Sequence, residues 1–393
     1  MIEPNNMASP PQANPRPPET KGNFARFWHR VSEGLEVHQL WGQLQKDARS
    51  SYRLYSAGIR ERQAGQSRSQ RAWYMFKTLF WAIIEKLSPA RRVLLLLGLI
   101  LVLLPSGGFS YRDSAGEVRI GELDPHFWGA LLILAVLLLE LADRVVMKRD
   151  LEIAKDIQAW LLPGAPLQIP GYGIAYATKP ANTVAGDYYD VILRPGTAPG
   201  EDRVLFVVAD VAGKSIPAAM LMATFQASLR TLAPSPLPLE QIVAELNRYA
   251  SSNSQGGARF TTAFLAELDP ATGDMTYVNA GHNVPFLRRS SGAVHRPEEG
   301  GIPIGVLASA TYQVGTMNIG VGDWLVIFTD GAVEAMNAKG DEYGEPELMR
   351  VIDRGAALSP PELLKNLLAA VDWFVGNTPQ HDDITCLLLK RSA

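Results

Sequence analysis

Two long apolar runs separate an N-terminal region from a larger C-terminal region. Neither run has an amphipathic period, and each is near the lower length limit for crossing a bilayer. Basic residues precede the first run and follow the second, which is the charge pattern of cytoplasmic flanks. The pattern predicts a transmembrane hairpin with helices at 93–109 and 127–143 and both outer ends in the cytoplasm. A pair of buried core helices is the alternative.

The region before the first run has two parts. Residues 1–22 are rich in Pro, Asn and Ser and are predicted to be a disordered tail. Residues 23–92 mix aromatic and basic side chains, which predicts a cytoplasmic and mainly helical region. This region could lie along the inner leaflet of the membrane or pack on the rest of the protein.

The segment 144–164 has the pattern of a helix that ends at Pro163 and Gly164. A stripe with steps of four and three runs along it and comprises Met147, Leu151, Ala154, Gln158 and Leu161. The stripe could pair two copies of the chain as a homodimer through residues 144–162, or it could pack on its own domain. In either case the helix would connect the membrane hairpin to the C-terminal domain.

Residues 165–393 change to short apolar or alternating segments divided by Gly, Pro, Asn and Asp. Helical patterns interrupt these strand-like segments at 216–252 and again at 360–377. Strands grouped with helices between the groups indicate an α+β architecture, because a strict βαβ alternation is missing.

Composition excludes some classes of function. The chain has 393 residues and a formal net charge of -3, with no long basic block, so nucleic acid is not an expected partner. Cys386 is the single cysteine, which excludes an intramolecular disulfide.

The stretch LFVVADVAGKSIPAA, residues 205–219, imitates a phosphate-binding P-loop. The P-loop needs a glycine five residues before its second glycine, but Val208 holds that position. Asp210 would also repel a phosphate unless a divalent cation lay between them. The similarity to a P-loop is therefore either a coincidence, or it marks a loop that reaches phosphate through a metal ion.

Aspartates end several of the strand-like segments. A carboxylate at the end of an apolar strand is unfavourable unless it faces solvent or a cation. Taken singly each could cap a turn, but as a set they match the oxygen ligands of Mg²⁺ or Mn²⁺. The set comprises Asp187, Asp190, Asp210, Asp330, Asp382 and Asp383.

Residues 150–391 resemble the PPM-type, protein phosphatase 2C-like serine/threonine phosphatases, in the bacterial branch typified by stage II sporulation protein E. Eight segments carry the resemblance in the family order: LEIAKDIQAWLLP, VAGDYYD, VADVAGKSIPAAM, RFTTAFLAELD, NAGHNVPFL, GGIPIGV, GDWLVIFTDGAVEAMN and HDDITCLLLK.

The resemblance implies an αββα sandwich, in which two antiparallel sheets are flanked by helices, as the fold of residues 165–393. It also implies two Mn²⁺ or Mg²⁺ ions, and a hydroxide that bridges them and attacks phosphoserine or phosphothreonine. Asp187 and Asp210 would bind metal, with Asp210 bridging the ions, and the carbonyl of Val211 would be a further ligand. Asp330 and Asp382 would hold the second ion. Asp383 would be an additional metal contact or would act behind the ligands.

The same resemblance implies a biological setting. The substrate would be a phosphorylated anti-sigma-factor antagonist of the STAS type, in a partner-switching pathway. With the predicted hairpin, the enzyme would be a multi-pass protein of the cytoplasmic membrane with its phosphatase domain in the cytoplasm. A catalytically weak or inactive signalling scaffold with the same fold is the alternative function.

The chain departs from the eukaryotic-type pattern, which has a histidine just after the bridging aspartate as a proposed general acid. His282 could substitute for it, although a structural role in its turn is favoured. Arg259 could contact phosphate or pair with a carboxylate, and Asp190 could orient a metal-bound water. Lys214 is expected to be a solvated surface residue, with a weak phosphate contact as the alternative.

Overall fold

The structure is a computed structural model that describes residues 77, 80, 81, 84–105, 107–112, 118–196, 201–253 and 259–393. The predicted tail 1–22 and most of the predicted helical region 23–92 lie outside the described residues. The chain divides into two compact units, residues 1–140 and residues 141–393.

The described part of the first unit contains helices and a hairpin of strands. These are α1 (Pro89–Leu103), β1 (Gly107–Arg112), β2 (Val118–Leu123) and the beginning of α2 (Pro125–Leu161), and β1 pairs antiparallel with β2. The two helices pack at Gly98 and Gly129, where a Cβ on Gly129 would lie 2.7 Å from the Gly98 carbonyl oxygen. Arg91 and Glu140 also form an ion pair at 3.1 Å.

Within the described residues, no helix is both long enough and apolar enough to cross a membrane. The predicted spans 93–109 and 127–143 are thus not confirmed. The first of them leaves the helix after Leu103, so that α1 has 15 residues and a length of about 22 Å, against about 30 Å of hydrocarbon. The second lies within α2 and includes the acidic residues Glu140 and Asp143.

The second unit is built on two sheets. The first sheet has the strand order β10-β7-β6-β5-β4, with β11 also paired to β7, and the second has the order β3-β13-β12-β8-β9. The strands of the first sheet are β4 (Tyr188–Arg194), β5 (Arg203–Val211), β6 (Thr261–Leu268), β7 (Asp274–Ala280), β10 (Gly300–Gly301) and β11 (Gly315–Asn318). The strands of the second are β3 (Tyr172–Lys179), β8 (Phe286–Arg288), β9 (Val294–His295), β12 (Trp324–Phe328) and β13 (Ile384–Arg391).

All described pairings in the two sheets are antiparallel except the short β10–β7 pair, which is parallel. The apolar core between the sheets follows the period of two in each strand. Phe206 and Val208 of β5 pack toward Ile327 of β12 and Leu387 of β13, and all four are fully buried. Because alternate side chains of these strands point the other way, each sheet has a second apolar face that needs cover.

Helices cover those outer faces. They are α3 (Ile216–Leu232), α4 (Leu239–Ser252), α5 (Asp330–Val333), α6 (Gly344–Arg354) and α7 (Pro360–Val375). Side chains of α3 and α4 pack on β5 residues such as Leu205 and Val207, and side chains of α6 and α7 pack on Trp324 and Leu388. The order of layers is helix, sheet, sheet, helix, so the predicted α+β sandwich is confirmed.

The C-terminal end of α2, in the second unit, has its stripe packed on its own domain. Leu151, Ala154 and Leu161 are partly buried and Gln158 is buried, whereas Met147 is exposed. The Gln158 side chain donates to the Ala185 carbonyl at 2.7 Å and accepts the Ala185 N–H at 2.9 Å. The polar member of the stripe therefore fixes the loop that carries Asp187.

Candidate active site

Four of the predicted ligands meet where the strand ends of the two sheets come together. Asp187 directly precedes β4, and Asp210 lies near the end of the neighbouring strand β5. Asp330 follows β12 as the first residue of α5, and Asp382 lies in the loop before β13, which pairs with β12. Asp187 and Asp210 interact directly, and both Asp330 and Asp382 act electrostatically on Asp210.

Burial and mutual repulsion raise the pKa values of three of these carboxylates. Burial, with a further contribution from Asp210, raises the pKa of Asp187 well above its usual range. Burial, followed by the charges of Asp330 and Asp382, raises the pKa of Asp210 to about 7. The pKa of Asp330 is raised by burial and then by Asp382, and Lys214 opposes that shift. Without a cation, the folded protein thus resists full ionisation of this cluster.

Thr329 is a residue of the site that the sequence reasoning missed. Its hydroxyl donates to Asp187 Oδ2 at 2.9 Å and accepts the N–H of Thr385 at 2.9 Å. The side chain is fully buried between β12 and the loop of Asp187. A threonine directly before the strand-end aspartate in IFTD was the signal, because an isolated polar residue after a buried strand needs a partner.

Asp383 fixes the loop that precedes Asp187. Its Oδ1 accepts the Ala181 N–H at 2.7 Å, and its Oδ2 accepts the Gly186 N–H at 2.6 Å. Both oxygens are therefore engaged by backbone donors, which favours the expectation that Asp383 acts behind the ligands over direct metal contact.

Glycines allow the close approaches that the site requires. A Cβ on Gly186 would lie 3.2 Å from the Val211 carbonyl oxygen, so the Asp187 loop passes next to this predicted backbone ligand. A Cβ on Gly331 would lie 2.0 Å from the Asp383 carbonyl oxygen. Only glycine fits after Asp330, and its presence lets α5 begin against the Asp382 loop.

Asp190 makes its contacts outside this cluster. Its carboxylate is fully buried and accepts two bonds from Arg230 of α3, at 2.7 and 2.9 Å. It also accepts the Tyr188 hydroxyl and the Val191 N–H. Asp190 thus joins β4 to α3, and these contacts do not support the predicted role in orienting a metal-bound water.

His282 and Arg259 are also placed by the structure. His282 is buried, its ring Nδ1 lies 3.0 Å from Thr262 Oγ1, and its backbone N–H donates to Asn279 Oδ1 at 2.7 Å. Burial lowers the pKa of His282 to about 4, so that the ring is neutral at pH 7. Arg259 lines a small cavity between α3 and α4 together with Phe225. The geometry fits a structural role for His282, and the phosphate contact of Arg259 stays a prediction.

The donor set of the cluster fits hard divalent cations with water completing the coordination. Among the described residues, no group of three or more His, Cys, Asp or Glu side chains is already placed to hold an ion. Asp187 contacts Asp210, and the charges of Asp330 and Asp382 act on Asp210. Asp382 also acts on Asp330. Mg²⁺ usually keeps several waters and takes one or two carboxylates, so paired oxygen donors suit it. A cation would also relieve the repulsion that raises these pKa values.

Sequence comparisons identify relatives of the C-terminal region. Residues 200–392 match the family described as Stage II sporulation protein E (SpoIIE). Protein IcfG of Synechocystis sp. is 26% identical over 273 residues, which cover 63% of this chain and 42% of IcfG. The phosphoserine phosphatase RsbU of Bacillus subtilis is 27% identical over 246 residues, which cover 62% of this chain and 71% of RsbU. The match thus spans less than half of IcfG and most of RsbU.

A comparison of folds agrees with the sequence match. The SiaA-PP2C domain of Pseudomonas aeruginosa superposes with a TM-score of 0.54 at 22% identity, covering 63% of this chain and 98% of that domain. This similarity concerns the fold, which is the layered sandwich described above. Residues 200–392 therefore match the stage II sporulation protein E family, and the second unit has the fold of a PP2C domain.

Proposed function

We propose that this protein is a metal-dependent phosphatase that hydrolyses phosphoserine or phosphothreonine in a protein substrate. The observation that carries the proposal is the meeting of Asp187, Asp210, Asp330 and Asp382 at the strand ends of both sheets. Such a cluster is costly for the folded protein unless it binds cations, and phosphate hydrolysis is a reaction that paired divalent ions promote.

Two Mn²⁺ or Mg²⁺ ions are the proposed cofactors. Asp187, Asp210 and the Val211 carbonyl would hold one ion, and Asp210, Asp330 and Asp382 would hold the other. When bound, the ions would activate a water molecule and neutralise the phosphate oxygens.

The chain's own residues prepare this site. The Thr329 hydroxyl occupies a lone pair of Asp187 Oδ2 and so orients the Asp187 carboxylate. Asp383 and Gln158 hold the loop before Asp187 from two sides, through Gly186 and Ala185. These contacts come from the chain itself and fix the position of the Asp187 loop.

The affinity of the site for Mn²⁺ will fall as the pH falls below 7. Burial and the neighbouring carboxylates raise the pKa of Asp210 to about 7 in the metal-free protein, so at pH 6 an entering ion must displace a proton. For one displaced proton, the dissociation constant rises about tenfold for each pH unit below 7. Calorimetric titration with Mn²⁺ at pH 6 and pH 8 measures this. An affinity that is unchanged between the two would show that Asp210 carries no such proton.

The proposed substrate is a serine-phosphorylated anti-sigma-factor antagonist of the STAS type. The name of RsbU as a phosphoserine phosphatase supports the phosphoserine, and the family resemblance suggests the partner-switching pathway. Phosphate release from a seryl-phosphorylated STAS protein of the host, with a tyrosyl-phosphorylated protein as control, tests the choice. Release from both at equal rates would contradict the proposed specificity.

A signalling scaffold without activity is the second candidate. It would explain binding of a phosphorylated partner without turnover. The complete set of four strand-end aspartates counts against it, because a degenerate site is expected to have lost at least one. A folded, Mn²⁺-loaded protein that binds the phosphoprotein and releases no phosphate would favour the scaffold.

We further propose that the chain resides at the cytoplasmic membrane with the phosphatase domain in the cytoplasm. Exposed apolar side chains on α1 and the beginning of α2, including Val93, Leu103 and Leu137, support membrane contact. Arg144, Lys148 and Arg149, which follow the second apolar run, are exposed and suit the anionic inner leaflet. Flotation of the full chain with vesicles that contain anionic lipid tests this location. Recovery of the protein with the unbound fraction would contradict it.

A homodimer through residues 144–162 is also proposed. Ile153, Ile157 and Trp160 are exposed on this helix at spacings of four and three, which suits a helix pair. Sedimentation of the Trp160→Asp variant beside the wild-type chain tests the dimer. Monomers in both samples would contradict it.

A further inference from the structure

The loop between β5 and α3 has an unusual backbone. Gly213 has a φ of 116° and Ser215 a φ of 65°, and Ser215 is the one non-glycine residue with positive φ among the described residues. A non-glycine residue rarely adopts a positive φ unless its surroundings impose it, and such residues concentrate at functional sites. The residue held between these two positions is Lys214.

Lys214 points its ammonium group at the aspartate cluster. Nζ lies 2.9 Å from Asp382 Oδ2 and donates to the His381 carbonyl. An ammonium group has three protons, and these two contacts account for two of them.

A cavity of about 440 Å³ opens beside this lysine. Lys214, Gly331, Glu334 and Asp382 line the end of the cavity next to the cluster, and the C-terminal end of α7 lines another side. The Lys214 side chain is 53% exposed, so its ammonium group can reach a molecule in the cavity. A phosphate ester that enters here meets the lysine at the edge of the aspartates.

We propose that Lys214 binds the phosphate group of the substrate, with its ammonium group donating to a non-bridging phosphate oxygen. The proposal rests on the proposed function and adds a phosphate contact from the chain itself. A phosphate dianion beside several carboxylates needs positive charge in addition to the ions, and a lysine supplies it as a compact donor. Lys214 thus shares one property with the lysine of a P-loop, which is that it binds phosphate.

The test compares Lys214→Met with the matched control Lys179→Met. Lys179 lines the same cavity, but its ammonium group pairs with Asp372 on α7. The probe is inorganic phosphate, titrated by calorimetry into the full-length protein loaded with Mn²⁺. We expect its dissociation constant to rise about ten- to a hundredfold in Lys214→Met, to recover partly in Lys214→Arg, and to change less than twofold in Lys179→Met. The affinity for Mn²⁺ should stay the same or increase, because a cation has left the site.

Two results would overturn the proposal. One is a dissociation constant for inorganic phosphate in Lys214→Met that lies within twofold of the wild-type value. The other is an equal loss of Mn²⁺ affinity and phosphate affinity, which would mean that Lys214 only positions Asp382 as a ligand. Failure of the proposed function is a separate result, because a wild-type protein without turnover still reports phosphate binding in this titration.

Discussion

Replacing Asp210 with Asn will lower phosphate release on the order of a thousandfold or more. Asp210 is the predicted ligand of both ions, and loss of one preorganised charge in a phosphoryl-transfer site has effects of this size. The same change will stabilise the metal-free protein at pH 7 by about 1–3 kcal/mol. The sign follows from the raised pKa of about 7, since the folded state keeps a proton between pH 4 and pH 7 that the unfolded state has released. Ionisation of Asp210 is therefore a cost to the fold that Asn removes.

Turnover and urea unfolding in EDTA, measured on the same samples, check both effects. An inactive but stabilised variant agrees with a metal ligand. An inactive variant that is also destabilised in EDTA would indicate that Asp210 serves the fold, and this would contradict its assignment as a ligand.

Replacing Arg230 with Met will destabilise the protein by about 3 kcal/mol and leave the chemistry of the folded fraction intact. Asp190 has a fully buried carboxylate, and the variant would remove the guanidinium that makes two hydrogen bonds to it. Removing the arginine leaves the buried Asp190 carboxylate without its counter-charge, which is more costly than losing an ion pair that is exposed on both sides. Urea unfolding gives the stability, and kcat at low temperature gives the activity.

Arg248→Met is the matched control for this change. Arg248 lies on α4, is 74% exposed and pairs with Glu245 on the same helix, so its loss should cost less than about 0.5 kcal/mol. Equal stability of the two variants would contradict the structural role of Asp190. A large fall in kcat for Arg230→Met alone would indicate that Asp190 contributes to catalysis.

The sequence was sufficient to predict the elements of the sandwich because its strands are strongly patterned. Segments 204–209 and 324–328 are continuous apolar runs, as expected for strands covered on both faces. The N-terminal region was harder to predict. Hydropathy alone could not show that the first apolar run ends its helix at Leu103 and continues into the hairpin of β1 and β2.

The sequence could predict only part of the site. Strand-end aspartates could be recognised as a set, but the direction of each side chain depends on strand register. Asp190 lies two positions after Tyr188 on the helix-facing side of β4, so it meets Arg230 and not the cluster. The adjacent residues Asp382 and Asp383 likewise differ in role through their contacts, which no spacing in the sequence specifies.

The most direct test of the account is hydrolysis of p-nitrophenyl phosphate by the full-length protein with Mn²⁺, with Mg²⁺ and with EDTA. The proposed function predicts turnover with at least one of the two ions, none in EDTA, and a loss on the order of a thousandfold or more in Asp210→Asn. Turnover that persists in EDTA, or that is undiminished in Asp210→Asn, would contradict the central claim that this aspartate cluster works as a metal-dependent phosphatase site.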